Sequence, residues 1–270
     1  MSAPLQGHRA RKRFGQNFLQ DPGIIRRIVR AIGPGPKDHL VEIGPGMGAI
    51  TELLVESEAK LDAIELDRDL IPGLKVKFFN QANFQVHEAD ALKFDFASLQ
   101  REGQPLRILG NLPYNISTPL IFHLLSYEGV VQDMHFMLQK EVVERLAAQP
   151  DTGQWGRLSV MAQYFCQIEQ LFLVPPDCFH PKPKVDSAIV RLTPRAEKEA
   201  VVTDLDAFAH LVRQAFAQRR KTLRNNLKGL LTGEQLESLG IDPQRRPETL
   251  KVSEFVALSN FQQQLATQPD

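Results

Sequence analysis

From about residue 38 onward, short apolar runs alternate with stretches of helical spacing. His39 to Ile43 reads as a strand, Ile50 to Val55 as a helix, and Leu61 to Leu66 and Phe84 to His87 as further strands. The rhythm continues with a strand at Arg107 to Leu109, a helix from Pro119 to Leu125, a strand at Met134 to Leu138 and a helix from Glu141 to Ala148. A parallel neighbour can be reached only by a crossover, so this alternation predicts an α/β fold with a doubly wound, largely parallel sheet.

Two more strand-like runs, at 166–174 and 185–192, are separated by Pro175, Pro176, Pro181 and Pro183. That interval leaves no room for a crossover helix, so the two runs should pair antiparallel at one sheet edge. After Pro194 the charged stretch Arg195 to Glu199 reads as a linker. Beyond it, Leu205 to Leu231 and Phe255 to Leu265 have helical spacing. The expected division is therefore a sheet domain over 1–194, with a polar, basic arm at 1–13, and a small all-helical domain over 195–270.

Composition narrows the choices further. The chain has 270 residues, 43% of them hydrophobic, enough for one large core and a smaller one. Lys and Arg total 32 against 32 Asp and Glu, so any basic surface must be local. Cys166 and Cys178 are too few for a disulfide framework and lack the spacing of a zinc site, which fits a reducing cytoplasm and predicts no metal. No apolar run approaches the roughly 20 residues that span a bilayer. The basic start, with Arg9, Arg11, Lys12 and Arg13, lacks the apolar core of a secretory signal, so a cytoplasmic location is expected.

The first strand closes on Glu42-Ile-Gly-Pro-Gly-Met-Gly48, with glycines at alternate positions. Absence of Cβ atoms there lets backbone approach a ligand, and a nucleotide-like cofactor is implied. Glu65 ends the second strand, where a carboxylate can accept from both hydroxyls of a ribose. Asp90 follows the third strand and could accept from an adenine amine, with Leu66 and Ala91 sandwiching the ring. The spacing of Gly44, Gly46 and Ala49 also suits a nicotinamide dehydrogenase, whereas the third glycine, Gly48, favours S-adenosylmethionine.

The loop after the fourth strand carries the most chemistry. Residues 111 to 114 read Asn-Leu-Pro-Tyr, directly after Leu106, Ile108, Leu109 and Gly110. An exocyclic adenine amine is a poor nucleophile, because its lone pair is delocalised into the ring. An enzyme that methylates it must accept hydrogen bonds from the amine and steer it towards tetrahedral geometry. The side-chain carbonyl of Asn111 offers one acceptor and the backbone carbonyl of Leu112 a second, with Pro113 fixing the turn and Tyr114 available to stack on the base. Hydride transfer needs no such loop. A tight strand-to-helix turn with a packed tyrosine is the alternative.

With these residues laid out, the chain resembles the KsgA/RsmA-type ribosomal RNA small-subunit adenine N6-dimethyltransferases nearly end to end. The segments that carry the resemblance are Phe14-Gly-Gln-Asn-Phe-Leu19, the loop Glu42 to Gly48, Asn111-Leu-Pro-Tyr-Asn-Ile-Ser-Thr-Pro-Leu-Ile-Phe122, Gln139-Lys-Glu-Val, Gly156-Arg-Leu-Ser-Val160 and Phe179-His-Pro-Lys-Pro-Lys-Val-Asp-Ser187. The resemblance implies a Rossmann-like S-adenosylmethionine methyltransferase. Its substrate would be two adjacent adenosines in the 3′-terminal hairpin loop of 16S ribosomal RNA, dimethylated at N6 within an immature small subunit; apart from the resemblance, a monomer is the default expectation. By similarity, Asn17 and Leu19 close over the cofactor, Gly44 and Gly46 line its methionine side, Glu65 holds the ribose and Asp90 the adenine. Asn111 joins the cofactor and target sites. Phe179 would face Tyr114 across a flipped base, with a place in a hairpin core as its other reading. Trp155 departs from the tyrosine usual in the family at that position. The erythromycin-resistance methylases share the fold but modify large-subunit RNA, and Leu112 with the Asn115-Ile-Ser-Thr-Pro run favours the small-subunit group.

A helical wheel over the second domain places Arg213, Arg220, Lys221, Arg224 and Lys228 within an arc of roughly 100°, beside an apolar arc of Val212, Phe216, Leu223 and Leu227. The basic arc is expected to grip RNA phosphates together with the arm at 1–13. A solvated charged face is the bland alternative. Arg219 falls towards the apolar side and should either snorkel to solvent or pair locally.

Overall fold

The computed structural model describes residues 16–267. The basic residues of the arm at 1–13 lie outside that range. The strands are β1 (Phe18–Leu19), β2 (His39–Ile43), β3 (Lys60–Glu65), β4 (Phe84–Glu88), β5 (Leu106–Asn111), β6 (Val131–Gln139), β7 (Cys166–Val174), β8 (Phe179–His180) and β9 (Ser187–Pro194). Seven of them form one sheet in the order β4-β3-β2-β5-β6-β9-β7, and β1 pairs with β8 separately. The five strands from β4 to β6 run parallel, and β9 is antiparallel to β6. The two late runs separated by prolines are indeed neighbours at one edge.

The helices of the sheet region are α1 (Pro22–Ile32), α2 (Thr51–Val55), α3 (Ile71–Lys77), α4 (Ser117–Leu125) and α5 (Lys140–Leu146). Strand order reverses on either side of β2, so β2 and β5 form the topological switch point, and the crevice at their carboxyl ends is where such sheets hold ligands. All residues of β2 are buried, as are the first five of β5, in keeping with a sheet covered on both faces.

Helix α1 escaped the sequence reading, although its signals are plain. Asp21 caps it by accepting from the Ile24 N–H at 2.8 Å, Pro22 occupies the first turn, and Gly33 ends it in the left-handed region at φ 58°. Ile28 and Ile32 turn inward and join the core with Leu40, Leu54, Leu61 and Leu109. The far end of the sheet is tied by the buried Arg107. Its guanidinium donates to the Ile32 carbonyl at 2.6 Å and to Asp38 at 2.8 Å, and grips Asp133 through Nε and Nη2. One side chain thus joins the end of α1, the loop before β2, and β5 to β6.

The chain divides into two compact units. One runs to Val143 and resumes over Glu169–Pro194, and the other comprises Glu144–Ile168 and everything from Arg195 onward. The last boundary between the units falls after Pro194. Residues 144–168, expected in the first domain, pack with the second, because α6 (Arg157–Phe165) sits against α7 (Leu205–Ala215) and α10 (Val252–Thr267), with the Tyr164 and Phe208 rings 5.1 Å apart. Between α7 and α10 lie α8 (Leu223–Asn226) and α9 (Gly233–Ser238).

The continuous helix expected from Leu205 to Leu231 is not formed, and the helical wheel drawn on it does not apply. The backbone N–H groups of Leu223 and Arg224 donate to the carbonyls of Arg245 and Pro243 rather than back along a helix. The Asn226 side chain closes the intervening turn by bonding the N–H and carbonyl of Gln218. These partners outcompete the local helix. No helix among the described residues is long and apolar enough to cross a membrane.

Candidate active site

The carboxyl ends of β2, β3, β4 and β5 open on a cavity of about 360 Å³. It is lined by Asn17, Leu19, Gly44, Gly46, Glu65, Leu66, Asp90, Ala91, Asn111, Leu112, Pro113, Tyr114 and Phe179. Every residue singled out for cofactor or target therefore borders one space, although they come from six separate stretches of chain.

The glycine loop is held in shape by backbone geometry. Gly44, Gly46 and Gly48 all have positive φ, at 66°, 59° and 81°. A Cβ at Gly46 would come within 3.1 Å of the Phe18 ring, and one at Gly48 within 2.9 Å of the Phe78 ring. Both conformation and space therefore select glycine. The Gly46 N–H donates to Glu65 Oε2 at 3.2 Å, while Oε1 accepts from the Asp67 N–H at 2.8 Å. The carboxylate is pinned at the end of β3 with lone pairs left to accept from a diol. Burial pushes its pKa up, opposed by these backbone donors. Asp90, after β4, accepts from the Leu92 N–H through Oδ1 at 3.0 Å.

Beneath the loop, Glu42 is 2% exposed and receives the Thr51 hydroxyl at 2.6 Å. Burial pushes its pKa up to about 7, the Thr51 hydrogen bond lowers it, and the nearby Glu65 raises it further. Glu42 belongs to the loop, yet the sequence alone gives it no role. Gln16 and Phe18 of the Phe14-to-Leu19 motif, and Leu70, likewise stand on the cavity wall with no role legible in the sequence. The pattern of the Phe14-to-Leu19 motif was a usable signal for the first two. Nothing in the local spacing marks Leu70.

Asn111 closes β5, between Met137 of β6 and the β2 end. Its Nδ2 donates to the Asn17 carbonyl at 3.0 Å, which fixes the amide plane and leaves Oδ1 to accept. The Leu112 N–H is taken by the Met137 carbonyl at 3.2 Å and the Pro113 carbonyl by the Ile116 N–H, so the turn is bonded on both sides. Tyr114 is anchored through its hydroxyl to Ser187 Oγ at 3.1 Å, and its carbonyl accepts from Ser117. Phe179 has the core position of its second reading and also reaches the cavity wall. It is 6% exposed and pairs with Leu19 across β8 and β1.

The donor set fits S-adenosylmethionine: a glycine cradle at the switch point, a ribose-length carboxylate at the next strand, and an acid after the third. Among the described residues, no group of three or more His, Cys, Asp or Glu is placed to hold a metal ion.

In the helical unit, Arg213 lies in the last turn of α7, Arg220 and Lys221 in the turn that follows, Arg224 on α8 and Lys228 just after it. All five are exposed. They share a stretch of surface-exposed chain but not one helix face. Arg219 is exposed, and its Nη2 donates to the carbonyl of Gly153, distant in the chain, at 2.6 Å.

Comparison with known proteins identifies the family. The family description "Ribosomal RNA adenine dimethylase" matches residues 7–264. The chain is 63% identical over 257 residues to a protein of Saccharophagus degradans named ribosomal RNA small subunit methyltransferase A, covering 95% of this chain and 96% of that one. It is 61% identical to the protein of the same name from Pseudomonas aeruginosa, covering 98% of each. Among solved structures, a dimethyladenosine transferase from Plasmodium falciparum superposes with a TM-score of 0.78 at 29% identity, covering 89% of this chain and 95% of that chain. The 23S rRNA methyltransferase ErmE superposes with a TM-score of 0.73 at 25% identity, covering 92% and 100%. The dehydrogenase reading of the glycine spacing is thereby set aside: the chain belongs to the ribosomal RNA adenine dimethylase family.

Proposed function

We propose that the protein transfers methyl groups from S-adenosylmethionine to N6 of two adjacent adenosines in the 3′-terminal hairpin loop of 16S ribosomal RNA, two to each. The observation that carries this reading is that the acceptor turn and the glycine cradle line one cavity, with Asn111 at their junction. The relatives named ribosomal RNA small subunit methyltransferase A support the small-subunit target over the large-subunit target named for ErmE.

The cofactor supplies an electrophilic methyl on a sulfonium. The chain supplies position. Gly44 and Gly46 admit the methionine portion, Glu65 accepts from the ribose hydroxyls, and Asp90 accepts from the adenine amine between Leu66 and Ala91. Asn17 and Leu19 cover the ligand. Asn111 Oδ1 and the Leu112 carbonyl accept the two N6 hydrogens of the target, Pro113 sets their angle, and Tyr114 and Phe179 hold the extruded base. When bound, the donor would supply its methyl carbon to the N6 lone pair and leave as the neutral thioether, keeping the electron pair of the C–S bond. The methylated nitrogen then loses its proton to solvent, so no strong general base is needed.

Arg213, Arg220, Lys221, Arg224 and Lys228 bind RNA phosphates, which position the substrate without reading its sequence. The partner is ribosomal RNA in the immature small subunit, met in the cytoplasm by a monomer. Incubation of under-methylated small subunits with labelled donor, followed by digestion and mass analysis of the RNA, tests the whole reading. Two methyl groups on each of two neighbouring adenosines are expected. No label on the small-subunit RNA, with label on 23S RNA when large subunits are supplied in their place, would refute the small-subunit assignment.

A further inference from the structure

The helical unit carries a second cavity, of about 200 Å³, which none of the roles above uses. Its wall includes Trp155, Tyr164, Arg195, Lys198, Glu199 and Ser253. Trp155 is the one tryptophan of the chain. It is 5% exposed, and its indole N–H is buried without an acceptor among the described residues. An indole nitrogen donates and cannot accept, so any group that meets it must bring an acceptor atom.

The neighbouring side chains point to the same polarity. Arg195 is held by its backbone N–H on the Phe165 carbonyl at 2.8 Å and by Nε on the Gln163 carbonyl at 3.0 Å. These bonds fix the guanidinium through one nitrogen and leave its terminal fork for a ligand. The Lys198 ammonium lies 5.2 Å from the Tyr164 ring centre and 5.5 Å from that of Phe165, a placement that cation–π attraction favours. The Tyr164 hydroxyl accepts from the Val202 N–H at 3.2 Å, so its own proton is left to donate. Against these donors stands Glu199, the single carboxylate among the lining residues. Two cations, an indole and a phenol around one carboxylate make a donor-rich wall, and a guanidinium fork matches oxygens on a tetrahedral centre.

We infer that this cavity binds a phosphate group, with Arg195 as its anchor and Lys198, Tyr164 and Trp155 as further donors. Such a group can come from the RNA backbone or from free inorganic phosphate. The inference is independent of the methyl-transfer reading, since it uses no residue of the first cavity.

Trp155 is its own reporter. Its fluorescence in the full chain is followed during titration with inorganic phosphate at constant ionic strength, with chloride as the reference, and separately with a stem-loop RNA. A saturable change with phosphate that chloride does not produce is expected. Arg195→Ala should weaken it about tenfold, the scale of a charge-assisted bond, Glu199→Gln should strengthen it, and Lys75→Ala, on α3, should leave it alone. If RNA produces the same change and phosphate displaces it, the backbone is the source. If phosphate alone saturates, the source is the free ion. Either upholds the site. No response beyond that of chloride, or one of equal affinity in Arg195→Ala and Glu199→Gln, overturns it. Glu199 is exposed and enters no hydrogen bond described above, so its variant keeps the test decisive should Arg195→Ala fail to fold.

Discussion

At the scale of single residues, Asn111 Nδ2 holds the Asn17 carbonyl, and the proposed reading gives its Oδ1 the separate task of accepting from the target amine. Asn111→Ala should therefore lower the single-turnover methylation rate by about 10²- to 10³-fold, the usual loss for one preorganised hydrogen-bonding group. Donor affinity, measured by calorimetry, should change far less. Glu42 gives a pH prediction. Its pKa stands at about 7 in the fold against an ordinary 4.5. Between those values the folded chain binds a proton that the unfolded chain has released, so this group's contribution falls as pH rises from about 4.5 to about 7 and is level above it. The difference corresponds to about 3 kcal/mol as an upper figure. Glu42→Gln cannot ionise, so denaturation in urea should show the variant gaining on the unaltered chain between about pH 5 and pH 8. A constant difference across that interval would contradict the assignment.

At the scale of elements, the approach of β5 to β2 depends on Gly110. A Cβ there would lie 2.4 Å from the Ile43 carbonyl oxygen, a backbone atom that cannot swing away. Gly110→Ala should force the two strands apart just before the Asn-Leu-Pro-Tyr turn, with a cost of about 1 to 3 kcal/mol or more seen as a lower Tm. Methylation should fall by more than stability alone explains. The strands and their chain order were legible because apolar runs of the right length alternated with crossovers. The acceptor turn and glycine loop were legible because their chemistry is local. Tertiary hydrogen bonding hid the rest. The break after α7 is made by the carbonyls of Pro243 and Arg245, some 20 residues further along the chain, and no local spacing announces them. The pairing of β1 with β8 joins residues about 160 positions apart and was equally invisible.

At the scale of the whole molecule, zero net charge coexists with local basic surface. Arg220 and Arg224 are exposed, and neither is on the wall of the first cavity. The double variant Arg220→Ala with Arg224→Ala should weaken RNA binding and flatten the slope of log K against log salt by about 1.5 to 2, while donor affinity stays unchanged. Filter binding over a salt series measures this, and an unaltered slope would return both arginines to ordinary solvation. The sequence suggested the charge but not its arrangement, since the helical arc assumed a helix that the fold interrupts.

One small feature reaches across the first cavity. Leu19, proposed above to cover the donor, and Phe179, proposed to hold the target base, are directly paired residues of the same two-stranded ribbon. A shift of either strand would carry the other through their shared backbone bonds, which predicts that the occupancy of one site changes affinity at the other. By thermodynamic reciprocity, whatever factor donor contributes to adenosine affinity, adenosine must return to the donor.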